Sequence, residues 1–130
     1  MANLNFPADL KYAESDEWIR VEGDTATIGI SDYAQDALND LVYAEFKEVG
    51  EAPGAGEPFG EIESVKAASE VYMPVAGEII EVNSELEGEP EIVNEDPYGN
   101  GWMIKIKITD DSNLSNLMDV EAYKEYCENR

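Results

Sequence analysis

The sequence predicts an all-β fold, a barrel or a sandwich, and three observations lead to this prediction. Short segments with alternating apolar residues recur along the chain, with glycine- and proline-containing turns between them. Segments with helical spacing are short or lie near the C-terminal end. With 130 residues and 43% hydrophobic content, the chain can bury one modest core. We therefore expect a single domain over residues 1–130.

The first part of the chain predicts strands at residues 18–22 and 25–30, a helix at 31–39 and a strand at 41–46. The turn pair Gly23-Asp24 joins the first two strands as a hairpin. Ser31 can cap the helix, because its hydroxyl can accept a hydrogen bond from the first helical turn. The apolar residues of this helix fall on one side: Tyr33, Ala34, Ala37 and Leu38.

Later strands are predicted at residues 59–65, 70–73, 77–82 and 101–108. Residues 49–58 and 83–98 are predicted to be mostly loop, because glycine, proline and polar residues interrupt any regular pattern. The tail from Ser112 to Cys127 has helical spacing, with Asp119 as a cap for its second part. We expect the apolar residues of the tail to pack against the core: Leu114, Leu117, Met118, Ala122, Tyr123 and Tyr126.

The formal net charge of −22 excludes several classes of partner. Such a surface repels phosphate backbones and anionic lipids, so neither nucleic acid nor a membrane is an expected partner. Basic or amine-bearing partners would be attracted. The chain contains no histidine, which excludes Ser–His and Cys–His catalysis and histidine-containing zinc sites, and we expect no metal site and no catalytic residue.

The single cysteine and the first residues bear on the compartment. Cys127 has no partner for an intramolecular disulfide, which fits a reducing environment. The first residues show neither the apolar segment of a signal peptide nor the arginine-rich face of a transit peptide. We expect a cytoplasmic protein, with a processed mitochondrial matrix protein as the alternative.

Lys66 is the only basic residue between Lys47 and Lys105, in a segment rich in glutamate. Strand-like residues lie on both sides of it, and two small alanines follow it directly. We therefore expect a hairpin whose turn is residues 65–68, with the lysine side chain at the tip.

Three roles are open to a lysine in this position. It can be an ordinary solvated turn residue, which is the usual fate of a lysine in a loop. It can be a Schiff-base nucleophile, but this chemistry needs a lowered pKa, and the nearby Glu61, Glu63 and Glu70 would favour the ammonium. It can also be a modification site, because exposure, a rigid turn and small neighbours would admit a modifying enzyme.

Residues 60–67, Gly-Glu-Ile-Glu-Ser-Val-Lys-Ala, resemble the lipoylation motif of the glycine cleavage system H-protein family. Lys66 matches the lipoylated lysine of that motif. Its neighbours match the flanking motif positions: Glu63, Ser64, Val65 and Ala67. The similarity continues, in the family's order, at residues 18–23, 28–35, 48–50, 74–79, 81–83, 90–94 and 97–102. The resemblance therefore covers about residues 10–127, nearly the whole chain.

The resemblance implies a lipoyl-type barrel-sandwich hybrid of two small antiparallel sheets, with short helices that include a C-terminal helical tail. The lipoyl core would span about residues 20–108 and the tail about residues 112–128. It also implies lipoate as a covalent cofactor, amide-linked to Lys66. The implied protein is a carrier that performs no catalysis of its own.

The resemblance further implies a set of partner enzymes. A pyridoxal-phosphate-dependent glycine decarboxylase would load an aminomethyl group onto the lipoyl arm, and a tetrahydrofolate-dependent aminomethyltransferase would unload it. A flavin-dependent dihydrolipoyl dehydrogenase would then restore the disulfide. A lipoate–protein ligase, or a lipoyl or octanoyl transferase, would attach the arm.

Family members also fold the loaded arm into a surface cleft. By position, Ser15, Glu17 and Glu70 resemble the residues that hold the amine, and a hydroxyl and two carboxylates suit an ammonium. The chain departs from the family pattern at Asp16, where many relatives carry histidine, and at Glu70, which replaces a shorter aspartate. Asn39 occupies a usual glycine position, and asparagine tolerates positive φ.

Other interpretations stay open at this stage. The chain could be a lipoyl or biotinyl domain of a 2-oxo acid dehydrogenase or carboxylase, although its free-standing length and its Ser-Val-Lys-Ala sequence weigh against this. It could relay lipoate to other complexes. It could also be an acidic binding module in which Lys66 is never modified. An autonomous enzyme lacks support, because the sequence contains no phosphate-binding loop or metal cluster.

Overall fold

The computed structural model describes residues 4–130, in which two antiparallel sheets dominate. The first sheet has the order β1-β2-β3-β8-β7, and the second has the order β4-β5-β6. The strands of the first sheet are β1 (Lys11–Tyr12), β2 (Glu17–Glu22), β3 (Thr25–Ile30), β7 (Ala76–Val82) and β8 (Ile104–Asp110). Those of the second are β4 (Leu41–Phe46), β5 (Pro58–Ser64) and β6 (Ala68–Tyr72). This arrangement confirms the predicted all-β class and its sandwich character.

Short helices connect the strands and form the C-terminal tail. They are α1 (Asp32–Leu38), α2 (Glu85–Gly88), α3 (Ile92–Glu95), a 3-10 turn (Ser112–Asn116) and α4 (Val120–Glu128). Among residues 4–130, no helix is long and apolar enough to cross a bilayer.

Local sequence explains the hairpin and the helix that follow one another near the N-terminus. Gly23 has a φ of +67°, a left-handed conformation that suits glycine, and it turns β2 back into β3. Ser31 caps α1 as predicted, since its Oγ accepts a hydrogen bond from the Ala34 amide at 3.2 Å. The helix ends at Leu38, and the capping residue Asn39 has a φ of +66°, a positive value that asparagine tolerates.

The main core lies between the two sheets. Buried aliphatic and aromatic side chains from both sheets fill it, including Ile28, Phe59, Ile62, Ile79 and Ile106. Burial of each such side chain stabilises the folded state by about 2 kcal/mol, because its apolar surface leaves water. This burial fixes which faces of β4, β5 and β6 point outward, and so fixes the direction of the turn that carries Lys66.

A second buried cluster attaches the tail to the first sheet. It consists of Leu10, Tyr12, Trp18, Tyr123 and Cys127. The rings of Tyr12 and Tyr123 stack in parallel with their centroids 4.4 Å apart. Because Tyr123 belongs to α4, this contact holds the end of the chain against β1 and β2.

The structure differs from the sequence prediction at several points, among them the two-residue strand β1, which the sequence did not predict. Residues 83–98 were expected to be mostly loop, but they contain α2 and α3, whose buried Leu86 and Val93 pack into the main core. The last strand begins at Ile104 and not at residue 101, because the Gly101 and Trp102 amides bond to turn carbonyls. In the tail, Ala122 was expected to pack against the core, but it is exposed, and Cys127 is buried instead.

Candidate functional site

The β5–β6 turn is shaped by Ser64, the last residue of β5. Its Oγ accepts hydrogen bonds from the amides of Lys66 and Ala67, at 3.1 and 3.0 Å. Its own amide donates to the Ala67 carbonyl at 2.8 Å. Ser64 thus closes a tight turn over residues 65–67, one residue shorter than the predicted turn, because Ala68 already begins β6.

Lys66 lies exposed at the tip of this turn. Its Nζ donates to the Ala37 carbonyl of α1 at 3.4 Å, so the side chain folds toward the helix. None of the salt bridges found among residues 4–130 includes Lys66. Glu63 faces Ala68 across the β5–β6 pair, and it lies opposite Tyr43 on the other side. The amine is therefore accessible and unpaired by any described carboxylate.

A cleft of about 230 Å³ lies beside the turn. Its walls come from distant parts of the chain: Ser15, Asp16, Glu17, Ile30, Tyr33, Ala34, Ala37, Leu38, Ile62, Ser69, Glu70, Val71 and Arg130. The predicted apolar side of α1 is one of these walls, which explains why Ala37 is exposed. The Ala37 carbonyl also accepts the hydrogen bond from Lys66 Nζ, so the amine lies next to a wall of the cleft.

The structure brings Ser15, Glu17 and Glu70 together in this cleft. Glu17 is buried, and Ser15 Oγ donates to its Oε1. The Tyr72 amide donates to the other oxygen, Oε2, at 3.0 Å. Glu17 therefore links β2 of the first sheet to β6 of the second. Ser15 and Glu70 are exposed at the rim.

Burial changes the proton affinity of Glu17. Loss of hydration raises the pKa of its carboxyl from 4.5 to about 7, although the hydrogen bonds from Ser15 and the Tyr72 amide act in the opposite direction. Near neutral pH, the carboxyl is divided between its protonated and ionised forms. An ammonium that entered the cleft would favour the ionised form.

Asp16 also lines the cleft, where it pairs with Arg130. Its carboxylate accepts from Arg130 Nη1 and Nη2, at 2.5 and 3.0 Å, and from the Tyr123 hydroxyl at 2.8 Å. The guanidinium of Arg130 also lies over the rings of Tyr33 and Tyr126, at 4.2 and 4.7 Å. Asp16 itself has a φ of +80°.

Sequence reasoning missed three contributors to the cleft. The Ala37 carbonyl and the Tyr72 amide are backbone groups, so the residue types at these positions do not predict their roles. Arg130 contacts Asp16 across 114 positions of sequence, so no local pattern could connect the two. Only the unusual Asp16 pointed to this corner of the molecule.

A larger cleft, of about 420 Å³, lies on the outer side of the second sheet. It shares Glu70 with the first cleft, and its other walls include several glutamates: Glu45, Glu48, Glu51 and Glu61. It contains neither Ser15 nor Glu17. The smaller cleft is therefore the one that combines a buried carboxylate with closeness to Lys66.

Comparisons with known proteins agree with this geometry. The family model described as "Glycine cleavage H-protein" matches residues 10–130. The glycine cleavage system H protein of Marinobacter nauticus is 55% identical over 121 residues, which cover 92% of this chain and 93% of that protein. The protein of the same name from Bacteroides thetaiotaomicron is also 55% identical, with 93% and 96% covered.

A solved structure shows the same fold. The crystal structure of a glycine cleavage system H protein from Mycobacterium marinum superposes with a TM-score of 0.85 and 36% sequence identity, covering 92% of this chain and 97% of that one. The sequence relatives and the structural neighbour thus lead to one family. The chain belongs to the glycine cleavage H-protein family, whose members are non-catalytic lipoyl carrier subunits of the glycine cleavage system.

Proposed function

We propose that Lys66 carries the lipoyl group of this chain. The observation that carries the proposal is the position of the amine, which is exposed at the tip of a turn and 3.4 Å from a wall of the cleft. The residues fit the group on two counts: the amine is accessible for acylation, and the cleft has room beside it. When bound, the lipoyl group supplies a disulfide that takes up an aminomethyl group.

We also propose that the cleft holds the amine end of the loaded arm, through Ser15, Glu17 and Glu70. A hydroxyl and two carboxylates at a partly enclosed surface can accept hydrogen bonds from an ammonium and exclude part of its water. The apolar side of α1 supports the hydrocarbon part of an arm, because it lines the same cleft. Glu70 is one methylene longer than the aspartate of the family pattern, so its carboxylate extends further from the rim.

The proposed partners are the enzymes that such a carrier visits. They are a glycine decarboxylase that uses pyridoxal phosphate, an aminomethyltransferase that uses tetrahydrofolate, and a flavin-dependent dihydrolipoyl dehydrogenase. A tethered arm raises the local concentration of the carried group at each active site. Relatives in bacteria support a cytoplasmic setting. The extent of the family match supports one carrier domain.

The attachment is tested by intact mass. The chain is incubated with a lipoate–protein ligase, lipoate and ATP, and we expect a mass gain equal to one lipoyl group. Lys66→Arg keeps the positive charge but removes the acylated amine, so it should show no gain. A full gain in the Lys66→Arg variant would refute the attachment site.

The docking role is tested by the lifetime of the aminomethyl group on the loaded chain. Glu17→Gln and Ser15→Ala should shorten this lifetime, because the cleft would hold the ammonium less well. Glu87→Gln is the matched control, since Glu87 is an exposed glutamate of α2 that does not line the cleft. Equal lifetimes in all variants would refute docking in this cleft.

A further inference from the structure

Arg130 brings a positive charge into the cleft that we propose to hold an ammonium. Among residues 4–130, the side chains that line this cleft include three carboxylates, those of Asp16, Glu17 and Glu70, together with the guanidinium of Arg130. A positive charge in such a place opposes the entry of a second cation. Its effect on the cleft therefore depends on the charge with which it is paired.

The partner of Arg130 is Asp16, and aromatic residues hold the pair in place. The carboxylate accepts two hydrogen bonds from the guanidinium and a third from the Tyr123 hydroxyl. The guanidinium also lies over the rings of Tyr33 and Tyr126. The side chain of Arg130 is 27% exposed and that of Asp16 is 14% exposed, so solvent screens this pair less than a pair on the open surface.

Asp16 has the chemistry to bind a carried amine itself. Its carboxylate lines the same cleft as Ser15 and Glu17, its neighbours in the chain. A carboxylate accepts charge-assisted hydrogen bonds from an ammonium as well as from a guanidinium. Asp16 thus has two candidate cations, and in the structure the guanidinium of Arg130 is the one bound.

This pairing sets how strongly the cleft attracts a cation. The charges of Asp16 and Arg130 cancel, so an entering ammonium is attracted by the carboxylates of Glu17 and Glu70. Without the guanidinium, Asp16 would add a further unpaired negative charge in the same small cleft. The attraction between an ammonium and the cleft would then increase, because the charges lie well within a Debye length of one another.

A carrier has to release its group as well as hold it, and stronger attraction slows the release. We propose that Arg130 limits how tightly the cleft holds a carried amine, because it occupies Asp16 and so withdraws one carboxylate from the ammonium. The inference rests on the proposed docking in this cleft and adds a residue that sets the strength of docking. Arg130 is a positioning residue, since it acts through Asp16.

The test compares four chains: the unchanged chain, Arg130→Gln, Asp16→Asn and the double variant with both changes. The first variant leaves Asp16 unpaired, the second leaves Arg130 unpaired, and the double variant removes both charges. Asparagine tolerates positive φ, so Asp16→Asn keeps the backbone conformation, whose φ is +80°. Lys124→Gln is the matched control, because it removes one positive charge from an exposed residue of α4 that does not line the cleft.

The first readout uses the unmodified chain, without a lipoyl arm. It is the titration of the Glu17 carboxyl, followed by carbon NMR with labelled glutamate. Burial raises the pKa of this carboxyl to about 7, and the charge of Asp16 adds to the rise. The titratable and charged side chains that share the cleft with it come from several elements: Asp16, Tyr33, Glu70 and Arg130.

The two single variants should move the pKa of Glu17 in opposite directions. Arg130→Gln should raise it, because an unpaired Asp16 disfavours a second negative charge beside it. Asp16→Asn should lower it, because an unpaired guanidinium favours the ionised carboxyl. The double variant should return close to the unchanged chain, and Lys124→Gln should match it. If the pair had only a structural role, the double variant would not restore the original value.

The second readout is the lifetime of the aminomethyl group on the loaded chains, at about pH 8.5, where the Glu17 carboxyl is ionised. We expect a lifetime about threefold to tenfold longer in Arg130→Gln, and shorter by a similar factor in Asp16→Asn. The double variant should come within about twofold of the unchanged chain. These differences should shrink in concentrated salt, because screening weakens the effect of each charge.

Arg130→Lys separates charge from folding. It keeps a cation for Asp16, so its lifetime should lie closer to that of the unchanged chain than the lifetime of Arg130→Gln does. All chains are compared well below their unfolding midpoints. A shorter lifetime in Arg130→Gln would overturn the inference, because Arg130 would then support docking and not limit it.

Equal lifetimes in the four chains, or an equal pKa of Glu17 in all of them, would also overturn the inference. Glu17→Gln, measured in parallel, distinguishes this failure from that of the proposed docking. If Glu17→Gln shortens the lifetime while the four chains agree, the docking stands and the inference fails. If Glu17→Gln also matches the unchanged chain, the docking in this cleft fails, and the inference with it.

Discussion

The Lys66 turn and the cleft beside it are built in opposite ways. Local hydrogen bonds within residues 64–67 shape the turn, and its central side chain stays in water. The walls of the cleft come from the β1–β2 connection, β2, β3, α1, β5, β6 and Arg130, and the cleft removes the carboxyl of Glu17 from water.

This difference matches two needs of a carrier. An anchor that several enzymes visit must be accessible and needs few long-range contacts. A site that holds a reactive group must exclude water, and only tertiary packing can do that. Mutations can separate the two regions, because changes at the turn should affect function with little effect on stability, and changes at the cleft should affect both.

The largest expected effect is at the turn. Lys66→Ala should abolish glycine-dependent release of carbon dioxide in a system reconstituted with the partner enzymes, because no arm can be attached. Its unfolding midpoint should stay within about 2 °C of the unchanged chain, since an exposed side chain contributes little to stability. Retained release of carbon dioxide in this variant would contradict the account.

The next effect is a pH dependence in the cleft. Because the folded chain raises the pKa of Glu17 from 4.5 to about 7, the folded state binds a proton that the unfolded state releases in this range. The contribution of Glu17 to stability is fully present below pH 4.5 and is lost as the pH rises to about 7. The loss is about 3 kcal/mol.

Glu17→Gln isolates this contribution from those of the other acidic residues. Glutamine resembles the protonated carboxyl, since its oxygen can accept from the Tyr72 amide and its amide can donate to Ser15. The difference in the free energy of unfolding between the two chains should decline between pH 4.5 and pH 7 and then level off. A difference that does not vary with pH would contradict the raised pKa of Glu17 in the folded chain.

A smaller effect is expected at the corner of the cleft formed by Asp16 and Arg130. Arg130→Gln removes a two-point ion pair whose side chains are 27% and 14% exposed, together with the contacts to two tyrosine rings. We expect a loss of about 1–2 kcal/mol in denaturant unfolding. Lys105→Gln is the control, because the Lys105–Glu81 pair is more exposed, and it should lose under about 1 kcal/mol.

The smallest effect should be that of Ser64→Ala. This change removes the oxygen that accepts from the Lys66 and Ala67 amides, at the cost of about 0.5–1 kcal/mol of stability. Ser69→Ala provides a neighbouring control on β6, where the hydroxyl bonds only the adjacent Glu70 carbonyl. A larger loss at Ser69 than at Ser64 would contradict the proposed role of Ser64 in the turn.

The turn could be predicted from the sequence because its determinants are local. Strand-like residues on both sides, small alanines and a lone lysine are adjacent in the chain, and the β5–β6 hairpin follows from them. The same holds for the Ser31 cap and the turn at Gly23. The order of strands in the two sheets depends on pairing between distant segments, such as β3 with β8, and no local pattern specifies it.

The cleft could not be predicted from local sequence, because its walls come from distant parts of the chain. Ser15, Glu17 and Glu70 were grouped through resemblance to a family, since nothing in the residues themselves connects positions 15 and 70. The burial of Glu17 follows from the packing of β2 near β6, and the pairing of Asp16 with Arg130 follows from the docking of α4. The helices α2 and α3 were missed because each is a single turn, and their buried Leu86 and Val93 carry no helical period.

One measurement tests the central claim most directly: tryptic peptide mapping of the chain after treatment with the ligase and lipoate. Trypsin cuts after Lys66 in the unmodified chain, and Lys66 is the only basic residue between Lys47 and Lys105. If Lys66 carries the arm, this cut is blocked, and one peptide of residues 48–105 appears with the added mass of a lipoyl group. Complete cleavage after Lys66, with the added mass on another peptide, would contradict the account.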